Sequence, residues 1–179
     1  MSKIEVPVSQ GRRFINFGPV VLVTASHEQK SNIVTLAWVT PVSVSPPLVG
    51  ICVSSSKFSH KLIQEGRQFA INIPTKDIIE AVKVCGSVSG KDADKFEKAK
   101  LTREKARRIS APLIKECAAH IECKLFKSVE LGDHYLFVGE VVACSCEDGF
   151  LKPDGIVDTI KFDVVTHLGG KSFAILKKM

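Results

Sequence analysis

Short apolar runs rich in β-branched residues recur along this chain, each stopped within a few residues by proline, glycine or serine. Such runs suit a pleated, half-buried surface, and proline, which has no amide to donate, ends a paired strand. Runs at 20–25, 32–39, 48–53 (after Pro46 and Pro47) and 69–73 (before Pro74) therefore read as strands. Ser59 is the expected N-cap of a short helix over 59–65, which turns Leu62 and Ile63 inward and ends at Gly66. Residues 115–129 and 134–146 face each other across 130–133 as a long hairpin, and 158–165 pairs with 172–176 around Gly169 and Gly170. Between these, 76–105 changes texture. Ile78, Ile79, Val82 and Val84 make a helical stripe, and 92–100 is a charged segment compatible with a helix.

Many strands, few short helices and no strand–helix–strand rhythm predict a mainly β fold, an antiparallel barrel rather than a doubly wound sheet. The 179 residues, 45% of them hydrophobic, can close one sizeable core, so a single domain over 1–179 is expected. No G-x-G-x-x-G follows a strand and there is no P-loop, which removes the usual dinucleotide and nucleoside-triphosphate sites. The net charge of +6 favours an anionic partner. Nucleic acid is disfavoured as that partner. The basic residues are scattered apart from Arg103, Lys105, Arg107 and Arg108, and one Trp and one Tyr cannot supply an aromatic stacking surface.

No apolar run reaches the roughly 20 residues that span a bilayer, and the first residues lack a secretory pattern. A cytoplasmic location with no membrane partner is expected. The six cysteines are then thiols. Cys144 and Cys146 share a strand face and are expected as small buried hydrophobes, not as metal ligands, because no second ligand pair accompanies them.

The stretch Ser54, Ser55, Ser56, Lys57, Ser59, His60, Lys61 lies where an apolar strand gives way to a helix. Hydroxyls, amides at a helix start and a lysine make a phosphate cradle. The same residues also describe an ordinary polar turn with a helix cap, and the segment alone does not separate the two readings. His134, after Gly132 and Asp133, can carry a proton near neutrality or can merely close a hairpin turn.

Several short motifs occur in a characteristic order. They are Val23-Thr24, the run 32–38 with Pro41-Val42-Ser43, the run 45–49, the serine-rich loop, the run 69–74, Cys85-Gly86, Ser89-Gly90-Lys91, Asp94-Lys95-Phe96, Gly132-Asp133-His134 and the run 136–141. In this order the chain resembles the flavin-reductase-like proteins, whose FMN-binding domain is an antiparallel Greek-key split β-barrel with a few short helices. The resemblance covers most of the chain. It implies a homodimer with FMN near the subunit interface, the phosphate in the loop 54–61 and the ring against the strand 32–38. Asn32, Thr35 and Ala37 would then share one strand face toward the cofactor, with the Thr35 hydroxyl free for its polar edge; without the resemblance, strand propensity accounts for Thr35 and a turn for Asn32. Leu36, Trp38 and Asn72 join the implied contacts, with His134 beside the flavin as catalytic residue; Ser89 and Lys91 are either a further anion contact or a plain loop before the charged segment. For Trp38 itself, burial is the expectation.

The implied activity is electron transfer from NADH or NADPH through FMN to free flavin, a ferric complex or a protein. The alternative is an FMN-binding electron carrier without turnover of its own.

Overall fold

A computed structural model describes residues 3–178. Its main feature is a seven-stranded sheet in the order β2-β1-β5-β8-β9-β4-β3, with every neighbouring pair antiparallel. The strands are β1 (Val21–His27), β2 (Lys30–Leu36), β3 (Val39–Ser43), β4 (Leu48–Ser54), β5 (Gln68–Ile73), β8 (Ala119–Leu131) and β9 (His134–Cys146). Two short pairs flank it: β6 (Arg103–Glu104) with β7 (Leu113–Ile114), and β10 (Val165–Gly169) with β11 (Ser172–Ile175). Among the described residues three α-helices, α1 (Phe58–Gly66), α2 (Ile79–Ser87) and α3 (Lys95–Lys98), accompany the strands.

The antiparallel split barrel expected from the sequence is the fold. β1 shows why its apolar run is continuous rather than alternating. Val21, Val23 and Ala25 face an inner core with Val34, Ile51, Val53, Phe69, Ile71 and Phe137. Val20 and Leu22 face an outer core with Ile33, Val82, Cys85, Phe96 and Ile114. A strand covered on both sides reads as unbroken hydrophobe. Leu62 and Ile63 of α1 plug the inner core, and α2 and α3 cover the outer face of β1 and β2 through Val82, Cys85 and Phe96. Register shifts at Glu122/Cys123 and Leu125/Lys127 interrupt the long β8–β9 ladder, as strand bending in a barrel requires.

Several boundaries differ from expectation, each for a local reason. The strand expected over 32–39 breaks at Ala37–Trp38 into β2 and β3. β3 contains Pro41 and lies on the edge of the sheet, where a missing amide is tolerated. The two sheet edges, β2 and β3, are therefore joined by Ala37 and Trp38, and the seam of the barrel lies beside that link. α1 begins at Phe58 with Lys57 at its N-cap, so Ser59 is not the cap and is instead wholly buried. Gly66 is fixed by close approach, since a Cβ there would meet the Ser26 carbonyl oxygen at 2.1 Å, while Arg67 takes the left-handed turn at φ 55°. The expected strand 158–165 is mostly turns, and pairing with β11 starts only at Val165. Cys144 and Cys146, expected to be buried, are exposed. Among the described residues no helix is long and apolar enough to cross a membrane.

Candidate functional site

The register of β4 against β9 pairs Ser54 with His134, which brings the serine-rich loop and the Gly132-Asp133-His134 turn together. Ser55 reinforces this contact by donating its amide to the Asp133 carbonyl at 3.2 Å. Trp38 lies on the other side of His134, with ring centroids 4.8 Å apart. A cleft of about 410 Å³ opens here, between β2 and β4 beside the Ala37–Trp38 link and beneath the end of α2.

Of the residues singled out from sequence, Asn32, Thr35, Leu36, Ala37, Trp38, Ser54, Ser56, Lys57, Ser59, Ser89 and His134 line the cleft. The structure places Ser55, His60, Asn72 and Lys91 elsewhere. The Ser55 hydroxyl is turned to the Asp133 carbonyl. The His60 ring packs edge-on against Tyr135 and beside Phe137, with Nε2 buried and unpartnered; burial lowers its pKa, which Glu130 partly opposes. Asn72 is consumed in the fold. It donates to the Leu22 carbonyl at 2.8 Å and accepts from the Ile114 amide at 3.0 Å. Lys91 is exposed, and its amide donates to the Ser89 hydroxyl.

Asn32, Thr35 and Ala37 do not share a face. The strand alternates, so Val34 enters the inner core while Ile33 enters the outer one. Asn32 accordingly points to α1, where its Nδ2 donates to the Ser59 hydroxyl at 2.9 Å. Thr35 points to α2 and donates to the Val82 carbonyl at 2.9 Å, so its hydroxyl proton is already committed. Trp38 is 39% exposed at the cleft mouth rather than buried.

The serine loop is arranged around shared hydroxyls. Ser54 and Ser56 lie 3.0 Å apart through their Oγ atoms, and the Lys57 amide donates to the Ser54 carbonyl. Ser59 accepts from Asn32 and keeps its own proton to donate. On the opposite wall, a Cβ at Gly90 would come within 2.1 Å of Asn32 Oδ1, so only glycine lets the 86–90 segment close over that side chain.

Lys95 is the feature that sequence reasoning missed as a site residue. Only 6% exposed, it donates from Nζ to the carbonyls of Ile33 at 2.8 Å and Cys85 at 2.7 Å. An ammonium group has three donors, so one remains for the cleft that Lys95 lines. Burial pushes its pKa below the usual lysine value; Cys85 works against that, and the like charge of Lys57 adds to it. The same burial raises the Cys85 thiol to about 11, partly offset by Lys95. A buried lysine in a charged run carries no local signal, because charged residues are rarely interior. Asn16 and His167 also line the cleft and were likewise not foreseen.

No Asp or Glu is among the described residues lining the cleft, while two lysines and five serines are. The walls thus offer hydroxyl donors and positive charge without a competing carboxylate, as a phosphate group requires. His134 Nδ1 lies 2.7 Å from the Asp133 carboxylate. That hydrogen bond and the charge of His134 hold the Asp133 pKa below the usual carboxylate range. The contact fixes the ring with Nδ1–H toward Asp133 and leaves Nε2 available. Among the described residues no cluster of His, Cys, Asp or Glu could hold a metal ion.

A family model described as the flavin reductase like domain matches residues 15–159. An uncharacterised protein of Archaeoglobus fulgidus is 40% identical over 146 residues, 81% of each chain. The crystal structure of flavoredoxin from Methanosarcina acetivorans superposes with a TM-score of 0.88 at 29% identity, covering 100% of this chain and 94% of that one. An FMN-binding protein from Thermus thermophilus, solved with 1-cyclohex-2-enone bound, superposes with a TM-score of 0.85 at 26% identity, covering 98% and 94%.

Proposed function

The chain belongs to the flavin-reductase-like family, and from that premise we propose that its cleft holds FMN and that the protein is an NAD(P)H-dependent flavin or ferric reductase. The observation that carries the reading is the presence of Lys57 and Lys95 beside serine hydroxyls in a cleft that, among the described residues, no carboxylate lines. Bound there, FMN would accept a hydride from the nicotinamide and pass the electrons to an acceptor.

The residues of the chain divide the remaining work. Ser54, Ser56 and Ser59 would donate hydroxyl protons to phosphate oxygens, and Lys57 and Lys95 would supply the opposing charge. Leu36, Ala37 and Trp38, which line the cleft, would give an apolar wall that excludes water from one side of the ring. His134, held by Asp133 at Nδ1, can take or deliver a proton at Nε2. The reading also includes a homodimer in the cytoplasm, with the acceptor left as free flavin, a ferric complex or a protein.

The test is NADPH and NADH oxidation, followed at 340 nm, by purified protein with FMN or ferric citrate added. Turnover that requires the protein supports a reductase. Protein that binds FMN and gives no turnover with either donor leaves the electron-carrier reading, which the likeness to a flavoredoxin favours.

A further inference from the structure

The mouth of the cleft is held by an arrangement that begins at the opposite end of the chain. Trp38 Nε1–H donates to Asn16 Oδ1 at 2.8 Å. Asn16 Nδ2–H lies 2.9 Å from His167 Nδ1, across 151 residues of sequence. The remaining ring nitrogen of His167, Nε2, lies 3.2 Å from the Gly170 carbonyl. A carbonyl only accepts, so Nε2 carries the hydrogen and Nδ1 accepts from Asn16. At each link from Trp38 through Asn16 and His167 to Gly170 one donor therefore faces one acceptor.

The backbone around this chain of bonds is equally tied down. Thr166 donates from Oγ1 to the carbonyls of Phe17 at 2.7 Å and Gly18 at 3.0 Å, and the His167 amide donates to Gly18 at 3.2 Å. Val20 donates its amide to Val165 at 2.9 Å. A Cβ at Gly18 would meet the Ala37 carbonyl oxygen at 2.4 Å. The 16–20 strap thus crosses directly over the link into Trp38 and is itself fastened to β10. Trp38 is 39% exposed and has no other hydrogen-bond partner for its indole among the described contacts. The family match ends at residue 159, before His167.

We infer that Asn16 and His167 are positioning residues: by bonding in series they fix the Trp38 indole as a wall of the cleft beside His134, so that the two ends of the chain jointly set the flavin site. The inference rests on the flavin reading only for its consequence, since the positioning of Trp38 is a property of the protein alone. An indole held at both its N–H and its face cannot swing across the mouth. Releasing the N–H leaves a large, half-exposed side chain free to change rotamer.

Trp38 is the only tryptophan, so intrinsic fluorescence reports on it without ambiguity. Asn16→Leu removes both bonds, and His167→Phe keeps a ring for packing against Phe173, at 5.6 Å between centroids, while losing the acceptor. His167→Asn keeps an acceptor close to the Nδ1 position. In protein without flavin, Asn16→Leu and His167→Phe are expected to lower the emission anisotropy and raise acrylamide quenching about twofold, and His167→Asn is expected to match the parent. FMN dissociation constants should rise about tenfold in the first two variants and return to the parent value in the third. Unchanged anisotropy and quenching in both Asn16→Leu and His167→Phe would overturn the inference. So would a His167→Asn variant as loosened as His167→Phe, because bulk rather than the acceptor would then matter. Parent protein that binds no FMN would remove the flavin reading, and the emission measurements would still decide whether Trp38 is positioned in this way.

Discussion

Individual side chains in the cleft are placed so that charge and donors accumulate without neutralisation. Lys95 gives the clearest case, because its ammonium group is buried against two carbonyls and has a like-charged neighbour in Lys57. An anion would relieve both the desolvation and the repulsion. Replacing Lys57 and Ser59 together with alanine should weaken FMN binding on the order of 100-fold, since a charge-assisted and a neutral hydrogen bond disappear; a flavin fluorescence titration measures this. Unchanged affinity would remove the loop from the site. His134→Ala should slow hydride transfer in stopped-flow at saturating donor by roughly 10²-fold, the range for loss of a positioned proton carrier, while FMN affinity changes much less. Equal losses in rate and affinity would make His134 structural. Ser54, Ser56, Lys57 and Ser59 were legible as cleft residues because they lie where an apolar strand stops, whereas Ser55 in the same run turns to the Asp133 carbonyl. Lys95, Asn16 and His167 were not legible, because their roles depend on contacts that reach 62 residues along the chain for Lys95 and 151 residues between Asn16 and His167. Asn72 and Thr35 misled for the same reason: each spends its polar atoms on a strand or helix that no local pattern names.

At the scale of elements, the four-residue helix α3 carries more than its length suggests, because it aims Lys95 and buries Phe96. Asp94 caps it, accepting from the Phe96 amide at 2.9 Å and the Glu97 amide at 3.4 Å, and also pairs with Arg103. Burial by itself would raise the Asp94 pKa. The Arg103 bond and charge and the two amides outweigh it, and the group is held below the usual carboxylate range. The stability Asp94 contributes is therefore complete above the unfolded Asp pKa, about 3.9, and is lost as pH falls through the lower folded value. Asp94→Ala should cost about 1 kcal/mol in urea denaturation at neutral pH, and the difference from the parent should shrink on acidification below about pH 4. A difference that grows in acid would contradict this account of the cap. Leu62, which α1 inserts into the inner core at 2% exposure, should cost about 2–5 kcal/mol as Leu62→Ala. Most strands could be read from the sequence, since covered strands and proline stops are local signals. β3 escaped because its pairing tolerates Pro41 only through its edge position, a fact of the assembled sheet.

For the whole molecule, the cleft follows from where the sheet fails to close. The strands at its two edges are consecutive in the chain, so the seam falls at Ala37–Trp38, and the register of β4 with β9 delivers Ser54 and His134 to the same place. Helices α2 and α3 cover the outer side, and the 16–20 strap with β10 borders the mouth through Asn16 and His167. A net charge of +6 favours the approach of an anionic nucleotide, and the apparent affinity for FMN should fall as salt is raised from 0.05 to 0.5 M, since partly exposed charges are screened. The central claim is that the cleft grips a phosphate and not only a ring. Parallel titrations with FMN and riboflavin test it most directly. The account predicts that FMN binds about 100-fold tighter or more, the worth of roughly two charge-assisted contacts. Equal affinities, or no binding of either flavin, would contradict it.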